Sequence, residues 1–131
     1  MTLITNEELE AIATIIVDAC LHVHRQLGPG LLESTYQKCL THELQKRGLG
    51  VRLEVPVSIV YDGIEIDMAY RMDMLVEDVI IIENKTVQQL MPINFAQILT
   101  HLRHSKHKLG FLINWNVKLI KHGINRMVNG L

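Results

Sequence analysis

Cysteine is nearly absent: Cys20 and Cys39 are the only two in 131 residues. That is too few for a disulfide-stapled secreted scaffold. Both fall in helical stretches among apolar neighbours, so reduced core thiols in a cytoplasmic protein are expected. An excess of either charge is also missing. Thirteen Lys and Arg stand against fourteen Asp and Glu, a formal net charge of −1. No global basic field advertises a nucleic-acid partner, and any basic surface must be local. No apolar run approaches the length of a membrane span. The start Met1–Glu8 lacks the basic opening and long apolar centre of a signal peptide. Repeats, low-complexity tracts and linkers are absent too. What the chain has in quantity is apolar material, 48% of its residues, which supplies a real core and excludes disorder. A length of 131 residues suggests one domain, residues 1–131.

Thr5 to Leu27 is predicted as the first helix. Thr5 and Glu8 form a capping-box pattern, with Asn6 as a competing cap. Leu9, Ile12, Ile16, Ala19 and Val23 recur at helical spacing. His22 and His24 near its end read as cations favoured by the helix dipole. Gly28-Pro29-Gly30 turns the chain. A second helix is predicted from Leu31 to Arg47, ended by Gly48, with Leu32, Cys39, Leu40 and Leu44 on its packed side. Val51 to Tyr61, the turn Asp62-Gly63 and Ile64 to Tyr70 form a hairpin, which Arg71 to Leu75 continues or follows. Pro56 suggests an edge strand or a bulge. Val76-Glu77-Asp78 turns into a further strand, Val79 to Lys85. A third helix runs from Pro92 to His107, with Phe95, Ile98, Leu99 and Leu102 apolar. Lys108 to Trp115 returns as an apolar strand, with Trp115 expected in the core. Val117 to Ile120 is a candidate last strand, and Ile124 to Val128 is compatible with helix or strand. A helix between the Val79 and Phe111 strands makes those two parallel by a right-handed crossover. The expected fold class is α/β, a central mixed β-sheet flanked by helices on both sides.

The chain is organised around Val79-Ile80-Ile81-Ile82-Glu83-Asn84-Lys85. Four branched apolar residues in a row predict a strand buried on both faces. Glu83 and Lys85 then share one face and Asn84 points to the other. Across the hairpin, Asp73 approaches Glu83. Carboxylates and an ammonium at the centre of a small domain are costly unless paired, solvated in a cleft or bound to a metal. Asp73 and Glu83 offer hard oxygen ligands for Mg²⁺, and the Asn84 backbone carbonyl can add another. Lys85 can orient or deprotonate a metal-bound water or balance phosphate charge. Glu33 lies in the first turn of the second helix, where the helix dipole favours it in any case. It can reach the metal directly or through water if that turn packs over the sheet. Tyr36, three residues on, shares its face. With Gln97 it is a candidate substrate contact. Arg103 and Lys106, with His101, His104, His107 and Lys108 beside them, can supply a local phosphate-binding surface. The three histidines recur every third residue and drift across one broad helix face, which matches no recognised zinc pattern.

Gly30-Leu31-Leu32-Glu33-Ser34-Thr35-Tyr36 resembles the motif that names the GxxExxY protein family. The resemblance continues through Arg71-Met72-Asp73, Glu83-Asn84-Lys85, Ala96-Gln97-Ile98-Leu99-Thr100 and Leu112-Ile113-Asn114-Trp115-Asn116. It covers roughly Ile12 to Val128. The family looks like a branch of the PD-(D/E)xK nuclease superfamily. The resemblance implies a restriction-endonuclease-like core with Asp73, Glu83 and Lys85 as the signature triad. It likens Glu33 to an acidic residue on the first core helix, and Gln97 to a glutamine on the helix after the signature strand. Met72 stands where the superfamily name has Pro, and His101 where relatives are expected to carry an aromatic such as Tyr.

Two functions fit this sequence. One is a Mg²⁺-dependent nuclease, with Mn²⁺ as a substitute ion, acting on nucleic acid, DNA before RNA. The other is a non-catalytic nucleic-acid-binding or assembly module on the same fold. With no second DNA-binding motif in so short a chain, target choice is expected from a homodimer or a partner protein. Trp115 and the Leu109–Ile113 strand are expected in the core rather than at an interface.

Overall fold

The computed structural model describes residues 4–131. The expectation about Met1–Glu8 falls in part on Met1–Leu3, which lie outside the described residues. Apolar periodicity accounts for the two opening helices, α1 (Asn6–Leu27) and α2 (Glu33–Lys46). The Thr5 hydroxyl accepts the Glu8 N–H and the Glu8 carboxylate accepts the Thr5 N–H, both at 3.0 Å, a complete capping box. Leu9, Ala13, Ile16, Ala19, Cys20 and Val23 are buried along α1; Ile12 is half-buried against them. α2 buries Tyr36, Leu40 and Leu44. Leu32, expected on the packed side, is the N-cap residue and is 73% exposed. It precedes the first turn, so the helix face does not carry it inward. Cys20 is buried and Cys39 half-buried, both as free thiols.

Three antiparallel strands follow, β1 (Val51–Tyr61), β2 (Ile64–Val76) and β3 (Ile80–Lys85). Arg71–Leu75 continue β2 rather than start a new strand. Asp62 and Gly63 turn β1 into β2, both at positive φ, as a two-residue hairpin turn requires. Glu77 and Asp78 do the same between β2 and β3, at φ 52° and 57°, which leaves Val76 in the strand. Pro56 lies on β1, an edge of the sheet, where a missing N–H is tolerated. The register break comes slightly later, between Val57 and Ile59.

α3 (Pro92–Ser105) crosses back to β4 (Leu109–Asn114), which pairs parallel to β3. β5 (Ile124–Val128) then pairs antiparallel to β4, so this segment is a strand. Val117–Ile120 is not a strand. The chain bends through it into a 3₁₀ turn at Ile120–His122. The Asn114 N–H donates to the Gly123 carbonyl at 2.8 Å, and a Cβ at Gly123 would lie 2.1 Å from the Asn114 carbonyl oxygen. Only glycine permits that approach.

The sheet order is β1-β2-β3-β4-β5. α1 and α2 pack on one face over Met74, Ile80, Ile82, Phe111, Ile113 and Trp115. α3 covers the other face, where Leu102 joins Leu75 and Ile81 and Ile98 and Leu102 close on Gly110. The fold is therefore α/β, a mixed sheet between helices, as expected. Ile80, Ile81 and Ile82 have no exposed surface. No described helix is long and apolar enough to cross a membrane.

Candidate active site

The β2–β3 ladder sets Met74 opposite Ile82, which carries Asp73 to a position opposite Glu83 where the pairing ends. Alternation puts both carboxylates and Lys85 on the sheet face covered by α3 and Asn84 on the face of α1 and α2. The Asn84 backbone N–H donates to Asp73 Oδ2 at 2.9 Å. Glu83 is only 7% exposed, and its Oε1 lies 3.2 Å from His101 Nδ1. Asp73 is pushed up to a pKa of about 7. Burial is the main cause and the Glu83 charge the second; the Asn84 N–H opposes them, and Glu33 and Glu54 add to the rise. Lys85 is half-buried, and its side chain makes no ion pair among the described residues. Its carbonyl accepts the Trp115 N–H at 2.9 Å.

The Asn84 side chain is committed on the opposite face. Its Oδ1 accepts from Trp115 Nε1 at 2.9 Å. Its amide nitrogen lies 3.2 Å from Met74 Sδ and 3.4 Å from Gln37 Oε1. Only the Asn84 backbone carbonyl is left to serve the site.

Other predicted residues fall in varied places. Glu33 is the first residue of α2 and is exposed. Its charge reaches Asp73. Among the described residues no three His, Cys, Asp or Glu side chains gather as a metal-holding group. Gln97 is exposed on α3, one turn before His101 and thus on its face. Tyr36 requires a correction. It has no exposed surface, its ring stacks on Trp115 at 5.0 Å, and its hydroxyl donates to the Gly28 carbonyl at 2.5 Å and accepts the Leu31 N–H at 3.2 Å. It holds the Gly28–Gly30 turn and cannot touch a substrate. Arg103 and Lys106 are exposed but not beside the carboxylates. α3 runs antiparallel to β3, so its last turn lies by the β2–β3 turn, where His107 Nε2 sits 3.1 Å from the Asp78 carbonyl. Lys106 caps that far end in a left-handed conformation. His24, read as a dipole-favoured cation, is instead a buried side chain 3.1 Å from the Trp115 carbonyl. His22 lies 3.8 Å from Glu43.

Four side chains take places at the site that sequence reasoning did not give them. His101 holds Glu83, and Tyr70 stacks on its ring at 4.1 Å. Glu54 projects from β1, at φ 51°, where the ladder would set it opposite Asp73. Gln37 donates to Glu54 at 3.0 Å. Gln37 follows Glu33 by one helical turn, a spacing that could have marked it; nothing local marks Glu54.

A family model described as the PD-(D/E)XK nuclease superfamily matches residues 10–127. The chain therefore belongs to that superfamily, whose members generally use divalent metal ions and act on nucleic acid. Comparison with curated proteins and with solved structures returned no match. The donor set fits such an ion. Asp73 and Glu83 are hard oxygen donors drawn out of water, the Glu83 charge raises the proton affinity of Asp73, and Mg²⁺ needs only one or two carboxylates while keeping several waters.

Proposed function

We propose that residues 1–131 act as one cytoplasmic nuclease domain of the GxxExxY branch, hydrolysing phosphodiester bonds in nucleic acid, DNA before RNA. The observation that carries this reading is the Asp73–Glu83 pair at the end of a buried strand, with Lys85 on the same face. Like charges driven together under partial burial weaken a fold; a divalent cation relieves them. Asp73 and Glu83 would hold Mg²⁺, or Mn²⁺ in its place, with the Asn84 carbonyl, and Glu33 would act through water. When bound, the ion makes a coordinated water more acidic and stabilises charge on a phosphate oxygen.

The chain's own residues do the positioning. The Asn84 N–H orients one oxygen of Asp73, and His101 orients one of Glu83. Lys85, two residues beyond Glu83, would orient or deprotonate the attacking water or, as the ammonium, balance the charge of the phosphate. Gln97, one turn before His101, would contact a phosphate or a base edge. Arg103 and Lys106 would meet backbone phosphates away from the reacting one.

Calorimetric titration with Mg²⁺ or Mn²⁺, wild type beside Glu83→Gln, followed by cleavage of mixed DNA and RNA, tests this reading. Binding and cleavage should both disappear in the variant. Binding without cleavage in wild type would point to a missing partner. No binding, with or without nucleic acid, would favour a non-catalytic binding module. Lys85→Ala should cut cleavage about 10³-fold with thermal stability and metal affinity nearly unchanged. Retention of full activity would remove Lys85 from the mechanism.

A further inference from the structure

Beyond Val57 and Tyr70 the β1–β2 hairpin leaves the body of the protein. Only Met74, Leu75 and Val76 of β2 pair with β3. Tyr70 is still held, its ring on His101 and its hydroxyl donating to the His101 carbonyl at 2.9 Å. Past it, the register break at Val57/Ile59 and Met68 at φ 51° re-aim the ribbon. The cross-strand pairs Ile59↔Ile66 and Tyr61↔Ile64 share one face of this arm. Tyr61 is 70% exposed, Ile64 61% and Ile66 41%. A two-stranded ribbon is marginal by itself in water, and a contiguous exposed apolar face marks an interaction surface. The charge on the arm narrows the partner. From Val57 to Tyr70 there are three carboxylates, Asp62, Glu65 and Asp67, and no Lys or Arg. Such an arm repels a phosphate backbone and suits an apolar surface with a basic rim.

The same chain carries that surface. A groove of about 430 Å³ runs between the end of α1 and the segment before β5. Leu21, Leu119 and Ile120 give it apolar walls, and Arg25, Lys118 and Lys121 give it positive charge. Topology places arm and groove at the same end of the sheet. β2 is antiparallel to β3, so the hairpin turn lies where β3 finishes. β4 is parallel to β3, so its exit toward Lys118 lies there too. The end of α1 joins it through His24 and the Trp115 carbonyl, 3.1 Å apart. The arm rises on the β1 side and the groove on the β4–β5 side. A two-fold axis normal to the sheet would set two such ends face to face and exchange the sides, so each arm meets the other copy's groove. We propose that the chain dimerises by reciprocal docking of this acidic, apolar hairpin into the basic-rimmed groove of a second copy. The proposal does not depend on the nuclease reading.

Sedimentation velocity of the full chain from low to high micromolar concentration tests it. Wild type should associate, more weakly as salt is added. Reversing the arm (Asp62→Lys, Glu65→Lys, Asp67→Lys) or the groove (Lys118→Glu, Lys121→Glu) should each raise the dissociation constant about tenfold or more. An equimolar mixture of the two reversed proteins should associate like wild type, because both contacts again join opposite charges. A wild type that stays monomeric overturns the proposal and leaves the arm to a different partner. Dimers indifferent to both reversals overturn it, as does a mixture of folded variants that stays monomeric. Should the variants fail to fold by circular dichroism, amide exchange of residues 59–66 in wild type decides. Slowing with concentration supports docking, and concentration-independent exchange overturns it.

Discussion

Asp73→Asn is expected to make the metal-free protein more stable and to abolish metal-dependent cleavage. The two effects have one origin. Asp73 is raised from an ordinary carboxyl pKa of 3.8 to about 7, first by burial and then by Glu83. The folded state therefore binds the proton more tightly than the unfolded chain does. Stability is highest while Asp73 is protonated and falls as pH rises from 3.8 toward 7; above that the loss is complete. At pH 8 the ionised carboxylate weakens the fold by on the order of 4 kcal/mol. Asparagine removes that charge and keeps an amide oxygen for the Asn84 N–H. Its melting temperature should exceed wild type by about 5 °C or more at pH 8, with the gap narrowing as pH falls through 7 toward 4. Saturating Mg²⁺ should reverse the order, because it stabilises only the protein that binds it. Cleavage should drop about 10³-fold or more. Equal melting temperatures at pH 8 would mean that the Asp73 carboxylate is well solvated, and the argument for a charge-strained metal site would fall with it.

The second large effect is expected at Trp115, which packs on the sheet face opposite the two carboxylates. Trp115 has no exposed surface. Its ring stacks on Tyr36 at 5.0 Å and on His24 at 6.3 Å. Its indole N–H donates to Asn84 Oδ1, and its backbone N–H to the Lys85 carbonyl, both at 2.9 Å. The residue thus joins α1, α2 and the end of β3. Trp115→Ala should cost about 4 kcal/mol, a large part of the stability of an ordinary domain. It also leaves the Asn84 side-chain oxygen without its donor. Trp115→Phe should keep the stack, lose the N–H and cost about 2 kcal/mol. Urea midpoints separate the two. Where both variants remain folded, metal binding and cleavage should both fall, because the Asn84 side chain loses its donor while the backbone N–H to the Lys85 carbonyl stays. A Trp115→Ala protein with wild-type stability would mean that the aromatic cluster does not hold the strand end.

Two readings of the α3 region show what local pattern can and cannot carry. Apolar spacing located the helix, and Leu102 is buried as that spacing required. The cluster from His101 to Lys108 looked like one surface because its members are neighbours in the chain. α3 runs antiparallel to β3, so this stretch leads away from Glu83. His101 touches the carboxylate, while Lys106 and His107 lie at the far end by Asp78. Tyr36 failed for a related reason. Its spacing from Glu33 put both on one helix side, but a step of three turns the side chain far enough for one to reach solvent and the other to stack on Trp115.

By itself the sequence determined the helices, the Asp62-Gly63 hairpin, the buried Ile80–Ile82 strand and the Glu83–Lys85 alternation. These rest on period and turn chemistry, which act between residues a few positions apart. It also implied the Asp73–Glu83 approach, because a tight turn fixes the register of the strands it joins. Only the tertiary structure decided that Ile124–Val128 is a strand, since a short apolar segment takes its form from the edge it meets. It alone decided that Asn84 bonds Trp115, that His101 holds Glu83, and that Glu54, bonded by Gln37, stands near Asp73. Those contacts join elements distant in the chain, and no local periodicity encodes which distant side chain will complete a buried polar group.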